Sequence, residues 1–235
     1  RVQRLSARSE GVFPTIELDG VQLLDAQGQE ALRLPRVVIT LSPRSVLRLG
    51  LQQLYVEAPR LQLRRDAAGR LFVAGLPVQG AAGDASALDW LLSQAEVVVR
   101  GGEVQWLDEQ RALPAVVFDG VDLVLRGGPW RHALRGDATP PASWGDRLSL
   151  RAQLQEPLWD PLGRAWTHWS GQWYAEWPHV DLAQLAPHVD LRGMKVDAGQ
   201  GALRAWADMR QGRLERVVSD VALRQGRMQG SRALQ

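Results

Sequence analysis

The chain has 235 residues, no cysteine and a formal net charge of +2, with 28 Lys and Arg against 26 Asp and Glu. The lack of cysteine excludes disulfides, thiolate metal sites and cysteine nucleophiles. The basic residues alternate with acids and form no run, whereas nucleic-acid binding needs a clustered basic face, so we expect no nucleic-acid partner. The uninterrupted apolar runs span only a few residues, which is too short for a transmembrane helix.

The first predicted elements are two paired strands and a short helix. Apolar and polar residues alternate over residues 16–24 and again over residues 31–41, with a short turn between them. Ser42 and Pro43 then form a helix-start signature, because Ser can cap free backbone N–H groups and Pro fits the first helical position. We therefore predict a hairpin followed by a short helix that ends near Gly50.

A strand, turn, strand phrase occurs three times along the chain. The first copy covers residues 54–75, the second 97–125, and the third, looser copy 202–223. Each copy is a period-two apolar run, a polar turn and a second such run, which is typical of elongated β structures whose parts contact mainly their neighbours. The first two copies interrupt the first run at the same place, with Ala58-Pro59 and Gly101-Gly102, and a β-bulge would explain both breaks.

Two further segments predict short helices. Residues 86–94 place leucines at helical spacing and an acidic residue in the first turn. Residues 181–188 predict a second helix, which Asp181 caps and Pro187 breaks.

The remaining segments predict one loop and two strands. Residues 127–143 are rich in Gly and Pro and predict a loop, whereas residues 148–154 and 166–177 alternate as strands do. The whole pattern predicts a mainly β fold, an elongated and curled antiparallel sheet of repeated hairpins with a few short helices. We expect residues 1–235 to be one continuous β region, with a sub-boundary within the loop 127–146. Because the chain begins with Arg and stops soon after a strand-like run, we expect it to be a segment of a longer protein.

The polar residues do not form a recognisable catalytic or metal-binding pattern. None of the four histidines has metal-ligand spacing, and neither a Gly-x-Ser-x-Gly elbow nor a phosphate-binding glycine loop occurs. Asp108 and Glu109 are adjacent carboxylates, but neighbours in a strand point to opposite faces, so we interpret them as turn residues. We expect no enzymatic activity, no catalytic residues, no metal ion and no cofactor.

The strand predicted at 166–177 is unusually rich in Trp, and its alternate positions share one face. That face has two interpretations: a core packed against a helix, or a wall that contacts an apolar ligand or the membrane interface, where Trp is favoured. The same choice, closed core or open apolar groove, applies to the alternating residues of the other strands. The residues of this Trp-rich face are Trp169, Gly171, Trp173, Ala175 and Trp177.

Several short motifs occur in a fixed order along nearly the whole chain. The phrase at residues 56–70, with Ala-Pro, Leu-x-Leu and Arg-Asp-x-x-Gly-Arg, resembles the AsmA-like family of Gram-negative envelope proteins, and so does the pattern at residues 97–123. The full combination is most similar to the YhdP branch of that family. The additional motifs are Leu88-Asp-Trp-Leu-Leu92, Trp130-Arg-His132, Pro140-Pro141, Trp144-Gly145, Leu148-Ser-Leu-Arg151 and Trp169-Ser-Gly-Gln-Trp-Tyr-Ala175.

The resemblance implies a fold and a function. It implies a U-shaped β sheet in the periplasm, anchored in the inner membrane by a segment outside these residues, that transports phospholipid toward the outer membrane and shelters acyl chains in an apolar groove. Its expected partners are phospholipid acyl chains, the membrane through that anchor, and inner-membrane proteins. The alternative is a structural or docking module for envelope assembly or outer-membrane protein biogenesis.

The alternating pattern also provides candidates for the groove lining. Polar head groups would stay at the rim, where Arg64, Arg100 and Arg126 would meet phosphates, unless these arginines belong to a solvated outer face. The candidate lining residues are Leu61, Leu63, Val104, Trp106, Val121, Leu123, Leu125, Leu148, Leu150, Trp169 and Trp173.

Overall fold

The computed structural model of the chain describes residues 4–10, 13–24, 28, 30–43, 50–77, 89–157, 168–188 and 194–230. Fourteen strands within these residues belong to one sheet, and short helical turns occur at residues 89–92 and 182–188. The prediction of a mainly β fold with a few short helices is confirmed.

The strands are numbered in chain order. They are β1 (Arg4–Glu10), β2 (Phe13–Leu24), β3 (Glu30–Thr40), β4 (Gln53–Glu57), β5 (Arg60–Arg65), β6 (Leu71–Val73), β7 (Leu76–Pro77), β8 (Glu96–Asp108), β9 (Val116–Gly127), β10 (Arg131–Thr139), β11 (Leu148–Gln155), β12 (Ser170–Asp181), β13 (Met194–Arg210) and β14 (Arg213–Gly230). A helix spans Leu182–Leu185, and a 3₁₀ turn, Ala186–His188, follows it.

The sheet follows the order of the chain with one exception. Its order is β1, β2, β3, then β4 and β5 end to end, then β8 through β14, and β6 and β7 extend the sheet beside β5. All neighbours are antiparallel except that β8 runs parallel to β4 and β5. The sheet is therefore mixed where the sequence predicted only antiparallel pairs. A parallel neighbour needs a long crossover, and the residues between β5 and β8 provide it.

The parallel pairing places the first two copies of the repeated phrase side by side. Leu54 is the register partner of Val97, and Leu63 is the partner of Trp106, so partners are 43 residues apart on both sides of the strand break. The break itself is also shared, since the Glu103 N–H donates to the Pro59 carbonyl at 2.8 Å. Each copy therefore follows the same path, including its bend.

The strand breaks of neighbouring strands form one line across the sheet, called the bend line below. Backbone φ is positive at Gly20 (66°), Ala58 (47°), Gly101 (60°) and Gly120 (55°), which lie at matching levels of β2, the β4–β5 junction, β8 and β9. Bulges bend a strand and increase its twist, so the sheet bends along this line. Register shifts continue the line on three further strands. They lie between Asp137 and Thr139 on β10, between Trp177 and Val180 on β12, and between Gln200 and Gly201 on β13.

Strand β10 corrects the loop predicted at residues 127–143. Arg131–Thr139 pairs with β9 on one side and with β11 on the other. Its positions on the apolar face include His132 and Gly136, so a polar residue and a glycine hide the alternation in the sequence. The sub-boundary within 127–146 stays a prediction.

The other predicted elements agree with the structure where it describes them. The hairpins β2–β3, β8–β9 and β13–β14 and strand β11 are confirmed. The Trp-rich strand begins later than predicted, at Ser170. Asp181 caps its helix, because its Oδ1 accepts hydrogen bonds from the backbone N–H groups of Ala183 (2.9 Å) and Gln184 (3.3 Å). The helix predicted after Pro43 and the first part of the one at 86–94 lie outside the described residues.

Candidate functional site: an apolar face across the sheet

One face of the sheet carries two rows of apolar or small residues that cross ten strands. Register partners lie on the same face, and residues two apart on a strand also share a face. The first row is Ile16, Ile39, Leu54, Val97, Leu125, Leu134, Ala152, Trp173, Ala207 and Val217. The second row is Leu18, Val37, Val56, Val99, Leu123, Gly136, Leu150, Ala175, Ala205 and Ser219.

The rows are long on the scale of a lipid. Neighbouring strands lie about 4.8 Å apart, so a row that crosses ten strands extends for about 43 Å. One acyl layer of a bilayer is about 15 Å deep, half of the hydrocarbon thickness. Each row is therefore long enough to lie against an acyl chain over its whole length.

Two clusters of large side chains flank the second row. The cluster on the bend-line side is built on buried Trp144 and Trp177, and Trp106, Phe118 and Leu148 pack against it. The opposite cluster contains buried Trp169, Leu154 and Met209, with Leu92 and Trp173 packed against it. The two clusters lie on either side of the row.

The residues between the clusters are small. On β10, β12 and β13 they are Gly136, Ala175 and Ala205, and only Leu123 and Leu150 are larger. These five residues are called the apolar strip below. None of them belongs to either of the two clusters, and apart from Gly136 they are only half-buried.

Trp144 covers the sheet on the bend-line side. Its ring centroid lies 6.1 Å from that of Phe118 in an edge-on arrangement, and 4.7 Å from that of His188. The helix that follows β12 packs against the same cluster through Leu182 and Leu185. Burial lowers the pKa of His188 below its ordinary value, which favours its neutral form.

Trp169 covers the other side. It is 2% exposed, and its ring stacks on His132 with centroids 4.0 Å apart and an interplanar angle of 15°. His132 Nε2 lies 2.8 Å from Glu156 Oε1, so the imidazole is held in the plane that Trp169 requires. The stack positions a Trp that precedes β12 over the end of the apolar face.

The candidate lining residues from the sequence all lie on or against this face. Leu123 and Leu150 belong to the apolar strip, and Val121 and Leu125 flank Leu123 on β9. Leu61, Leu63 and Val104 continue the face beyond the bend line. Their role as a lining stays a prediction. The remaining candidates belong to the clusters: Trp106 and Leu148 to the first, and Trp169 and Trp173 to the second.

The opposite face carries charged side chains, many of them paired, beside a row of apolar and aromatic residues that includes Val38, Tyr55, Val98 and Val124. Arg36 bonds Glu17 at 2.5 Å and Glu57 at 3.2 Å, and Arg204 bonds Glu176 at 3.1 Å. The three arginines proposed for the rim belong to this solvated outer face. Their nearest carboxylates are Glu109 for Arg64 (3.2 Å), Asp122 for Arg100 (4.0 Å) and Glu96 for Arg126 (3.0 Å).

The carboxylate pair singled out in the sequence has a structural role. Asp108 ends β8, is 1% exposed, and accepts a hydrogen bond from Arg65 Nε at 2.9 Å. This hydrogen bond holds the pKa of Asp108 below its ordinary value, whereas Glu109 is exposed and bonds Arg64. Within the described residues no group of three or more potential ligands is positioned to hold a metal ion.

Sequence reasoning missed several residues that lie on the apolar face or cover it. Trp144 and His132 lie in a segment predicted as loop, and Gly136 lies there too. The sequence signals for these residues were the Trp130-Arg-His132 and Trp144-Gly145 motifs. Their role depends on ring contacts with residues more than 30 positions away, Trp169 for His132 and Trp177 for Trp144.

Comparison with known proteins gives a family. The model of the YhdP protein family matches residues 1–234, nearly the whole chain. No curated protein and no solved structure matches the chain. No helix among the described residues is long and apolar enough to cross a membrane. The chain belongs to the YhdP family, within the AsmA-like group of envelope proteins.

Proposed function

We propose that the apolar face shelters lipid acyl chains. The chain would then be a non-enzymatic segment of a periplasmic bridge, anchored in the inner membrane, that carries phospholipid toward the outer membrane. The apolar strip carries this proposal, because small residues lie between two Trp-rich clusters and the row they belong to crosses ten strands. Membership of an envelope protein family supports the location.

The physical argument concerns the cost of moving an acyl chain through water. Each exposed CH₂ group costs roughly 0.8 kcal/mol, so a chain of about 16 carbons faces on the order of 10 kcal/mol or more. A continuous apolar surface removes most of that barrier and requires no covalent chemistry. The charged residues on the other face keep the same sheet soluble in the aqueous compartment.

Site-specific photo-crosslinking in the full-length protein tests contact with lipid. A photoreactive amino acid at Leu150, on the apolar strip, should capture phospholipid. The matched control is Gln155 on the same strand, which is exposed on the charged face and should capture none. Equal lipid capture at both positions, or none at Leu150, would contradict the proposal.

A charge placed on the apolar strip tests whether this segment carries lipid. Leu150→Asp places a carboxylate on the strip, so it should reduce phospholipid delivery to the outer membrane, while Gln155→Asp should not. If Leu150→Asp accumulates to the wild-type level and lipid delivery is unaffected, this segment is not a conduit. Leu63→Asp and Trp106→Asp extend the test beyond the bend line.

A docking module is the second candidate. The buried clusters around Trp144 and Trp169 fill both sides of the apolar face as a protein core does, which favours a closed structural role. This function predicts that crosslinkers at Leu123 and Leu150 capture protein, from this chain or from an envelope partner, in place of lipid.

A further inference from the structure

Two arginines face each other on the charged side of the sheet. Arg135 on β10 and Arg151 on β11 are direct register partners, so their side chains leave the same face at adjacent positions. Like charges directly opposite each other in a sheet are destabilising. Arg135 lies 3.4 Å from Asp137, but among the described residues no carboxylate lies within 4.0 Å of the Arg151 guanidinium.

This pair lies in an arginine-rich depression. The depression has a volume of about 510 Å³, and Arg100 and Arg126 also line it. Four arginines therefore line one concave part of the outer face, and one of them, Arg126, pairs with Glu96 at 3.0 Å. Arg100 is only loosely neutralised, at 4.0 Å from its nearest carboxylate.

The carboxylates in the depression are occupied by other donors. Asp122 accepts from Arg147 Nη2 at 2.8 Å and from the Gly101 backbone N–H at 3.0 Å. Asp137 accepts from Ser149 Oγ at 2.6 Å. Neither carboxylate neutralises Arg151, so the depression keeps an excess of positive charge.

An aromatic platform adjoins Arg151 on the other side. Tyr174 is the register partner of Arg151, and Trp206 is the partner of Tyr174. The two rings lie 5.5 Å apart and line a second depression of about 360 Å³, which also includes Arg151 and Gln153. Trp206 is 41% exposed, and its register partner Val218 is 49% exposed beside it on the same face.

We propose that this part of the outer face is a binding site for a phosphate-bearing ligand. The phosphate would bind between Arg135 and Arg151, because guanidinium forks match the geometry of phosphate oxygens and an anion relieves the repulsion between the two cations. The organic part of the ligand lies against the rings of half-buried Tyr174 and exposed Trp206, where the apolar body of Tyr and Trp provides contact area. The phosphate comes from a lipid head group or from a soluble phosphoester. The site lies on the face opposite the apolar strip, so it does not depend on acyl-chain binding.

Direct binding measurements distinguish these sources. Inorganic phosphate and glycerol 3-phosphate are titrated into the chain by calorimetry, and phosphatidylglycerol and phosphatidylcholine vesicles are compared by flotation. Saturable binding of glycerol 3-phosphate indicates a soluble ligand. Binding to phosphatidylglycerol vesicles alone indicates a lipid head group. Either result supports the site only if the double variant Arg135→Gln, Arg151→Gln weakens the observed binding at least tenfold.

The control variant removes one positive charge elsewhere on this face. Arg204→Gln breaks one exposed ion pair outside both depressions and should leave binding unchanged. Absence of binding to every probe, or equal loss in Arg204→Gln and in the double variant, would overturn the proposal. Without ligand, Arg151→Gln should keep or raise the thermal midpoint. A lowered midpoint would assign Arg151 a structural role and would also overturn it.

Discussion

Ala58, at the junction of β4 and β5, lies beside Gly101 of the parallel strand β8, and both have left-handed backbones, with φ of 47° and 60°. The Ala58 N–H donates to the Arg100 carbonyl at 2.8 Å, so the two bends are hydrogen-bonded to each other. Since their neighbours Gly20 and Gly120 also have positive φ, the bend belongs to the sheet as a whole. The bend line therefore directs the apolar face of successive strands toward a common side.

The alanine in this position is strained. A left-handed backbone costs an L-residue with a Cβ roughly 1–2 kcal/mol, so Ala58→Gly should raise the free energy of unfolding by about 1 kcal/mol, measured by urea denaturation. The control is Ala133→Gly, an exposed strand alanine without positive φ, which should lower it by about 0.5–1 kcal/mol. Equal losses in both variants would mean that the bend at Ala58 is not strained.

Two glycines on the apolar face should respond differently to the same substitution. A Cβ at Gly171 would lie 2.1 Å from the Gln153 carbonyl oxygen, which is backbone and cannot move aside, so Gly171→Ala should cost about 3 kcal/mol. At Gly136 the nearest atom would be 3.8 Å away, and Gly136→Ala should stabilise the strand by about 0.5 kcal/mol. Thermal and urea unfolding of both variants check this, and a tolerated Gly171→Ala would refute the close approach of β11 and β12.

The Arg65–Asp108 pair should make a measurable contribution. Arg65→Gln leaves a buried carboxylate without its charged partner and should cost about 2 kcal/mol. The pKa of Asp108 is lowered in the fold, so the stabilisation is present above its unfolded pKa of about 3.9 and is lost as the pH falls through the native value. Urea titrations from neutral to acid pH measure both effects. The exposed pair Arg60–Glu103, at 3.9 Å, offers Arg60→Gln as a control that should change little.

Acidification should also loosen the cover of the apolar face at His188. Burial lowers the His188 pKa, Asp108 opposes that shift and Arg111 adds to it. The neutral imidazole is therefore favoured in the fold, and its stabilisation is complete above about pH 6.5 and declines as the pH falls through the lowered native pKa. His188→Gln should flatten the pH dependence of stability below about pH 6.5, measured by denaturation at several pH values. If stability depends on pH equally steeply in the wild type and in His188→Gln, His188 is not the source of that dependence.

The repeated phrase made much of the fold predictable. Its alternation gave the hairpins β8–β9 and β13–β14, and Ala58-Pro59 and Gly101-Gly102 gave the position of the bend, because left-handed backbones and missing side chains leave a signature in the residue types. Strand β10 could not be predicted, since His132 and Gly136 replace apolar residues on its inner face and are supported by partners elsewhere, Trp169 and Leu150.

The sequence by itself determined which residues share a face, because the period of two in a strand is local. It did not determine the order of neighbours across the sheet. The parallel placement of β8 beside β4 and β5, the alignment of the bends and the position of Gly136 between two Trp clusters depend on contacts between residues far apart in the chain. Only the tertiary structure therefore decided that a set of alternating strands becomes two long apolar rows, with small residues between large ones and a charged face behind them.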